Sequence, residues 1–234
     1  MSDQRVAIIT GAGSGIGRAT AVQLGYEGYT CVLVGRRRDR LEQTAEAVAS
    51  ETVILPADVS DAQQATQVVE DVLAAAGRVD ALVHCAGLAP LRLIEQMPVD
   101  LFDAVIATNL SAAFYLAKAV WEPMKRQGGG VIVNLSSESS RDPFTGFAAY
   151  GAAKAGVNLL GWSLAREGHP HNIRVHTVAP AAVETEMFRQ LMTPEQYPTE
   201  KTLDPMDVAR VIVQCITGDL KYASGEVIYL HKTL

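Results

Sequence analysis

A tyrosine four residues ahead of a lysine, Tyr150-Gly151-Ala152-Ala153-Lys154, puts a phenol and an ammonium on one face of any helix that holds both. The ammonium would stabilise the phenolate and lower its pKa from about 10 toward the range of a working general acid/base. Such a pair is also common on helices that do no chemistry, so it needs partners. Ser136-Ser137 supplies one, closing a strand-like run thirteen residues before the tyrosine. A hydroxyl there can bond a substrate oxygen as charge builds on it.

A second cluster lies near the start, at Thr10-Gly11-Ala12-Gly13-Ser14-Gly15-Ile16-Gly17. Glycines between a strand and a helix permit a tight turn and let the backbone approach a pyrophosphate, whose charge a helix N-terminus favours. The spacing is TGxxxGxG rather than GxGxxG, and close packing alone also produces such turns. Nineteen places past Gly17, where a dinucleotide site holds ribose hydroxyls with a carboxylate, stands Arg36 in Gly35-Arg36-Arg37-Arg38. Guanidinium groups would pair with a 2′-phosphate, which favours NADP(H) and leaves NAD(H) open. Three arginines opening a helix read equally as a solvated surface cluster, and Ser14 contributes no further charge.

The elements that must carry these groups alternate from end to end. Val6–Thr10, Thr30–Val34, Thr52–Leu55, Ala81–Cys85, Val131–Leu135, Ile173–Val178 and Val227–Leu230 read as seven strands, mostly continuous apolar runs suited to burial on both faces. Between them lie helical stretches near Ile16–Tyr26, Arg38–Ser50, Asp61–Ala75, Pro98–Arg126, Tyr150–Glu167 and Pro205–Thr217. Ser60 before Asp61 and Asp204 before Pro205 are capping-type starts, and Gly77 and Gly128-Gly129-Gly130 are helix stops. The pattern predicts an α/β fold: a Rossmann-like, doubly wound, parallel seven-stranded sheet with helices on both faces, in one domain spanning 1–234. In such sheets ligands bind at the carboxyl ends of the strands, where strand order reverses. Ala181–Asp204, polar and interrupted by Pro194 and Pro198, is the one long irregular stretch and reads as a substrate lid.

Composition excludes several classes. A net charge of −6 provides no basic field for nucleic acid. Cys31, Cys85 and Cys215 are scattered and odd in number, which points to a reducing, cytoplasmic setting. The first strand begins at Val6, leaving no room for a signal peptide, and no apolar run reads as a membrane span. His169, His171 and His176 lack a ligand pattern around them, so no metal is expected, and Gly13-Ser14-Gly15 does not fit a hydrolase elbow.

TGAGSGIG, Asn109, Ser137 and YxxxK, in this order and spacing, resemble the short-chain dehydrogenase/reductase family over nearly the whole chain, from Thr10 to Gly225-Glu226-Val227. The resemblance implies that Tyr150 is the general acid/base, Ser137 orients the substrate oxygen, Lys154 binds the nicotinamide ribose and depresses the tyrosine pKa, and Asn109 holds a water in a proton relay. It further assigns cofactor contacts to Gly11, Ser14, Gly15, Ile16, Gly17, Arg36, Arg37, the pair Asp58-Val59, Ala86, Gly87, Pro180, Val183 and Thr185, beside Asn109, Tyr150 and Lys154. It implies a homodimer or homotetramer joined through the outer faces of the two long helices. Two positions depart from the family pattern. Asn-Asn-Ala-Gly is replaced by His84-Cys85-Ala86-Gly87, with His84 as a structural stand-in for the amide, and the Pro-Gly turn becomes Pro180-Ala181.

The expected activity is NAD(P)-dependent reduction of a small to medium carbonyl compound, or oxidation of the alcohol. Leu88, Phe144, Phe147, Met187 and Phe188 are candidates for an apolar pocket, and Glu138 and Arg141 for polar contacts near the serine. The competing reading is a sensor or scaffold that binds NADP(H) without turnover. A C=C reductase would space Tyr and Lys more widely, and a sugar-nucleotide epimerase would need a longer C-terminal region.

Overall fold

The computed structural model describes residues 4–232. The β-branched runs form β1 (Val6–Thr10), β2 (Thr30–Gly35), β3 (Thr52–Pro56), β4 (Ala81–His84), β5 (Gly130–Leu135), β6 (Ile173–Pro180) and β7 (Val227–Leu230). All pair in parallel, in the order β3-β2-β1-β4-β5-β6-β7. Strand order therefore reverses between β1 and β4, and the crevice of a doubly wound sheet opens at their carboxyl ends.

The helices are α1 (Gly15–Tyr26), α2 (Arg38–Ala45), α3 (Ala62–Ala76), α4 (Val99–Ile106), α5 (Ala112–Arg126), α6 (Ala148–Gly168), α7 (Glu186–Arg189) and α8 (Pro205–Thr217). Alternate strand residues face opposite layers, as a pleated strand requires. Ile8, Val32, Leu82 and Ile132 pack with Leu116 and Val120 of α5 and Val69 of α3. Ile9, Leu33, Val83 and Val133 pack with Leu24 of α1 and Ile212 of α8. Both faces are covered, which is why the strands need no polar alternation.

Four expectations shift. The helix from Arg38 stops at Ala45 instead of Ser50. The chain tightens there through Ala47 N to Thr44 O and Val48 N to Ala45 O, and Val48 packs into the α1 layer. The cap of α3 is Asp61, whose carboxylate accepts from Gln63 N and Gln64 N, while Ser60 donates to Asp58. The stretch expected at Pro98–Arg126 is helical throughout, but a wider π turn at Ala107–Ser111 separates α4 from α5. That run, Val99–Arg126, is also long and apolar enough to cross a membrane, contrary to the sequence reading. Here it lies on the sheet, with Leu116, Val120 and Met124 in the core.

The segment 181–204 is more ordered than its polar composition implies. Thr185 caps α7, Val183 bridges to Leu203, and Glu184 holds Arg189 by two hydrogen bonds, at 2.7 and 2.5 Å. At the far end Asp204 caps α8 through Met206 N, with Pro205 at the first helical position.

Candidate active site

The glycine turn forms the floor of the crevice. Gly11 has φ +64, and a Cβ there would lie 2.8 Å from Ala86 N, so only glycine lets the β1 turn pass under the end of β4. A Cβ on Gly17 would run into the Gly11 carbonyl, so the first turn of α1 is closed to any side chain. Thr44 Oγ1 donates to Ala12 O at 2.9 Å and fixes the loop to α2. Backbone is thus left facing open space at a helix N-terminus. This cradle suits a diphosphate.

Two cavities of about 470 and 680 Å³ share this floor at Gly11, Ser14, Ala86 and Gly87. The larger is also lined by Arg36, Arg37, Asp58 and Val59. Arg36 and Arg37 are exposed, with no ion-pair or hydrogen-bond partner among the described residues. The Asp58 carboxylate is engaged by Ser60, accepting from its N and Oγ. The smaller cavity is lined by Gly15, Ile16, Gly17, Ser137, Tyr150, Lys154, Pro180, Val183 and Thr185. Every residue proposed from the sequence as a site member lines one cavity or the other, except Asn109 and Arg141, the latter held outside by Glu138 and the Tyr229 ring.

Asn109 is fully buried behind them, on the π turn. Its Nδ2 donates to Leu88 O at 2.8 Å and Val105 O at 2.9 Å, and its Oδ1 accepts from Leu88 N at 3.4 Å. The side chain ties the chain leaving β4 to the helix. The extra backbone residue of a π turn is a common device for aiming a side chain into a site.

Ser137 follows β5 in extended conformation and its Oγ accepts from Ser139 N at 3.2 Å. Tyr150 and Lys154 lie in the first two turns of α6, which begins two residues earlier than the sequence pattern indicated. Lys154 is 2% exposed, donates from Nζ to Leu135 O at 2.7 Å, and stands 5.6 Å from the Tyr150 ring centroid. Burial pulls the Lys154 pKa down to about 8, and the neighbouring Cys85 acts weakly the other way. The expected lowering of the Tyr150 pKa is absent. Burial raises it above 10, with only the Ser137 hydroxyl opposing. The physical reason is that a buried phenolate loses its hydration, while Lys154 spends its hydrogen bond on a backbone carbonyl and not on the phenol.

The departures at His84 and Ala181 are both accommodated. His84 is 1% exposed, and its Nδ1 meets Thr10 Oγ1 at 3.0 Å, while that oxygen also accepts from Ala86 N at 3.2 Å. The direction of the Thr10–Nδ1 hydrogen bond follows the ring tautomer, and Nε2 has no hydrogen-bond partner among the described residues. Burial, with Lys154 nearby, pushes the His84 pKa down to about 3. The ring is neutral and serves as a strut between β1 and β4. Ala181 N donates to Leu230 O at 2.9 Å, extending the β6–β7 ladder past Pro180. Among the described residues, no group of three or more His, Cys, Asp or Glu could hold a metal ion.

The family model for short chain dehydrogenases matches residues 5–196. The chain belongs to that family. It is 33% identical over 214 residues to an uncharacterized oxidoreductase of Staphylococcus haemolyticus, covering 91% of each chain. It is 31% identical over 242 residues to the acetoacetyl-CoA reductase of an Acinetobacter species, covering 99% of this chain and 98% of that one. The crystal structure of levodione reductase superposes with a TM-score of 0.90 at 29% identity, over 97% of this short-chain dehydrogenase and 96% of that chain. The protein is thus an oxidoreductase of a family that uses nicotinamide cofactors, as the glycine cradle suggested.

Several members of this short-chain dehydrogenase's site left no trace in its sequence pattern. Thr44 is an ordinary helix residue until the fold turns its hydroxyl onto the loop. Asn158, one turn beyond Lys154, donates to Ser140 Oγ at 2.9 Å and Tyr229 Oη at 3.3 Å, anchoring the serine loop to β7. Only the helical spacing of Asn158 from Lys154 hinted at a shared face.

Proposed function

We propose that the protein is an NADP(H)-dependent carbonyl reductase or alcohol dehydrogenase with Tyr150 as its general acid/base. The observation that carries this reading is the meeting of Ser137, Tyr150 and Lys154 in one cavity that continues into the glycine cradle. Bound in that cradle, a nicotinamide dinucleotide would supply or accept the hydride. Ser137 then orients the substrate oxygen, and Tyr150 gives that oxygen a proton on reduction or takes it on oxidation. Lys154 supplies the positive charge that makes the phenol usable. Its Nζ donates to Leu135 O and keeps further protons for the ribose side. Asn109 holds the β4 exit and, in this reading, the water of a proton relay.

Arg36 and Arg37, exposed and unpaired, support a preference for the 2′-phosphorylated cofactor. Residues 181–204, which contribute Val183 and Thr185 to the cavity wall, act as a substrate lid on a domain spanning 1–234. Exposed Phe114 of α5 and Leu159 and Trp162 of α6 support a homodimer or homotetramer through those helices. Three free cysteines fit a cytoplasmic setting.

The test is Tyr150→Phe, which keeps the ring and removes the proton. Turnover falls by about 10²–10⁴-fold while cofactor binding stays nearly intact. Full activity in this variant would overturn the assignment. Titration with NADPH and NADH decides the cofactor, tighter NADH binding being the result that sinks the arginine argument.

A further inference from the structure

The end of the cleft that holds Tyr150 is walled by aromatic and apolar side chains from two separate segments. One wall runs Phe144, Phe147, Tyr150, with ring centroids 5.9 and 5.4 Å apart in that order. The other comes from 181–204 and carries Met187, Phe188 and Tyr197, the last two edge to face at 5.3 Å. All six side chains line the 470 Å³ cavity. Phe144 is 51% exposed and Met187 41% exposed, so apolar surface that a core would bury faces the open mouth of a pocket.

Charge is distributed unevenly along the cleft. Arg36, Arg37, Arg40 and Arg92 line the other cavity. Around Tyr150 the carboxylates are Glu138 and Asp142, and Lys154 and His231 are the basic groups. Lys154 Nζ is turned to the Leu135 carbonyl. The two flanking guanidinium groups are already committed, Arg141 to Glu138 at 2.8 Å and Arg189 to Glu184. Among the described residues no uncommitted arginine or lysine lines the mouth to receive a phosphate or carboxylate, and Asp142 would repel one.

We propose that the substrate is an uncharged ketone, or the matching alcohol, with an aromatic ring a few bonds from the reacting carbon, and that Phe144 and Phe188 set this preference. The proposal rests on the carbonyl-reductase reading above. In the reducing direction the C=O π bond is replaced by a C–H bond made with the hydride and an O–H bond made with the Tyr150 proton. NADPH is consumed as the two-electron donor, and solvent returns the proton to the phenolate. The ring of the substrate sits between the two walls, gaining edge and face contacts in place of water.

Three probes with the same β-keto group and different tails test this: benzyl acetoacetate, ethyl acetoacetate and acetoacetyl-CoA. The expected order of kcat/KM is benzyl, then ethyl, then the anionic thioester, with about tenfold between the first two. Phe188→Ala lowers kcat/KM for the benzyl ester by about tenfold through KM and that for the ethyl ester by less, so the benzyl-to-ethyl ratio collapses. Phe188→Leu, which retains bulk, loses the benzyl preference in part and guards against a misfolded alanine variant. Calorimetric binding of benzyl 3-hydroxybutanoate to Tyr150→Phe reads the same pocket without turnover and should weaken in the Phe188→Ala, Tyr150→Phe double variant. Equal rates for benzyl and ethyl esters, or a preference for the thioester, overturn the proposal while leaving the carbonyl-reductase reading intact. No turnover of any probe with either cofactor takes down that reading and this proposal with it.

Discussion

The two walls of the cleft are built on different physical terms. The wall carrying Ser137, Tyr150 and Lys154 is held by buried bonds: Ser136 N to Val178 O at 2.7 Å, Ser136 Oγ to Lys154 O at 3.2 Å and Lys154 Nζ to Leu135 O at 2.7 Å. The wall contributed by 181–204 is held mainly by partly exposed polar contacts, the Glu184–Arg189 pair, Thr202 on Glu184 at 2.9 Å and Arg40 on Glu186 at 3.2 Å. Buried bonds in a tight layer fix atoms closely but tolerate little change. Exposed ion pairs contribute little net stability, so the second wall can vary or shift without cost to the sheet. Under the proposed function, chemistry sits on the first wall and much of the pocket's selectivity on the second.

The strongest way to break this contrast is to disturb the rigid wall by one methyl-sized step. A Cβ on Gly151 would lie 2.8 Å from Ser139 O, so a side chain there must push the serine loop away from α6. Gly151→Ala is expected to lower kcat by about 10²-fold, the scale of an ångström of misplacement. Steady-state kinetics beside a circular-dichroism melt checks it. Turnover near that of the parent would show that the wall yields.

The rigid wall also carries an electrostatic cost that the 181–204 wall does not. Lys154, with its pKa pulled to about 8 by burial, is charged at neutral pH and uncharged sooner than in the unfolded chain, whose lysine titrates near 10.5. Between those values the unfolded state binds more protons, so stability from this group rises as the pH climbs from 8 toward 10.5. Below 8 the penalty is present in full. Lys154→Met should therefore raise the melting temperature of the cofactor-free protein at pH 7 by a few degrees, on the order of 1–3 kcal/mol, with the gap closing as the pH rises. Thermal melts from pH 7 to 10 read it, and a gap independent of pH would reject the assignment of the cost to charge.

His176 sharpens the same point from the acid side. It is fully buried on β6, and burial with nearby Arg174 lowers its pKa to about 4. Unfolding between pH 4 and 6.5 takes up a proton there, so stability falls as the pH drops through that window. His176→Phe should flatten this limb by up to about 2 kcal/mol, seen in the slope of melting temperature against pH. An unchanged slope would place the acid lability elsewhere.

Much of this was legible in the sequence because it depends on local periodicity. Continuous apolar runs such as Val131–Leu135 can only be buried on both faces, and the Tyr150–Lys154 spacing carries its own geometry. Lys154's hydrogen bond to Leu135 O was not legible, since it joins residues nineteen apart across β5 and α6. For the same reason the direction of the Tyr150 shift was misjudged: spacing gives proximity but not desolvation. The π turn at Ala107–Ser111 and the order within 181–204 go with contacts between residues about twenty apart, Asn109 on Leu88 and Val183 on Leu203, that composition does not encode.

The smallest expected effect lies where the two halves of the cleft are linked. Arg40, beside the arginine-lined cavity, reaches Glu186 at the start of α7 at 3.2 Å, with side chains 34% and 56% exposed. At that exposure an ion pair is worth about 0.2–1 kcal/mol and is screened over roughly 3 Å at 1 M salt. A double-mutant cycle of Arg40→Gln and Glu186→Gln on thermal stability should return a coupling below about 1 kcal/mol that vanishes at 1 M salt. A larger coupling that survives salt would mean the lid is fastened as firmly as the catalytic wall, and the contrast between the two would be lost. A coupling that disappears when NADPH is added would instead show Arg40 passing from the lid carboxylate to a phosphate. The link would then be one that the cofactor releases.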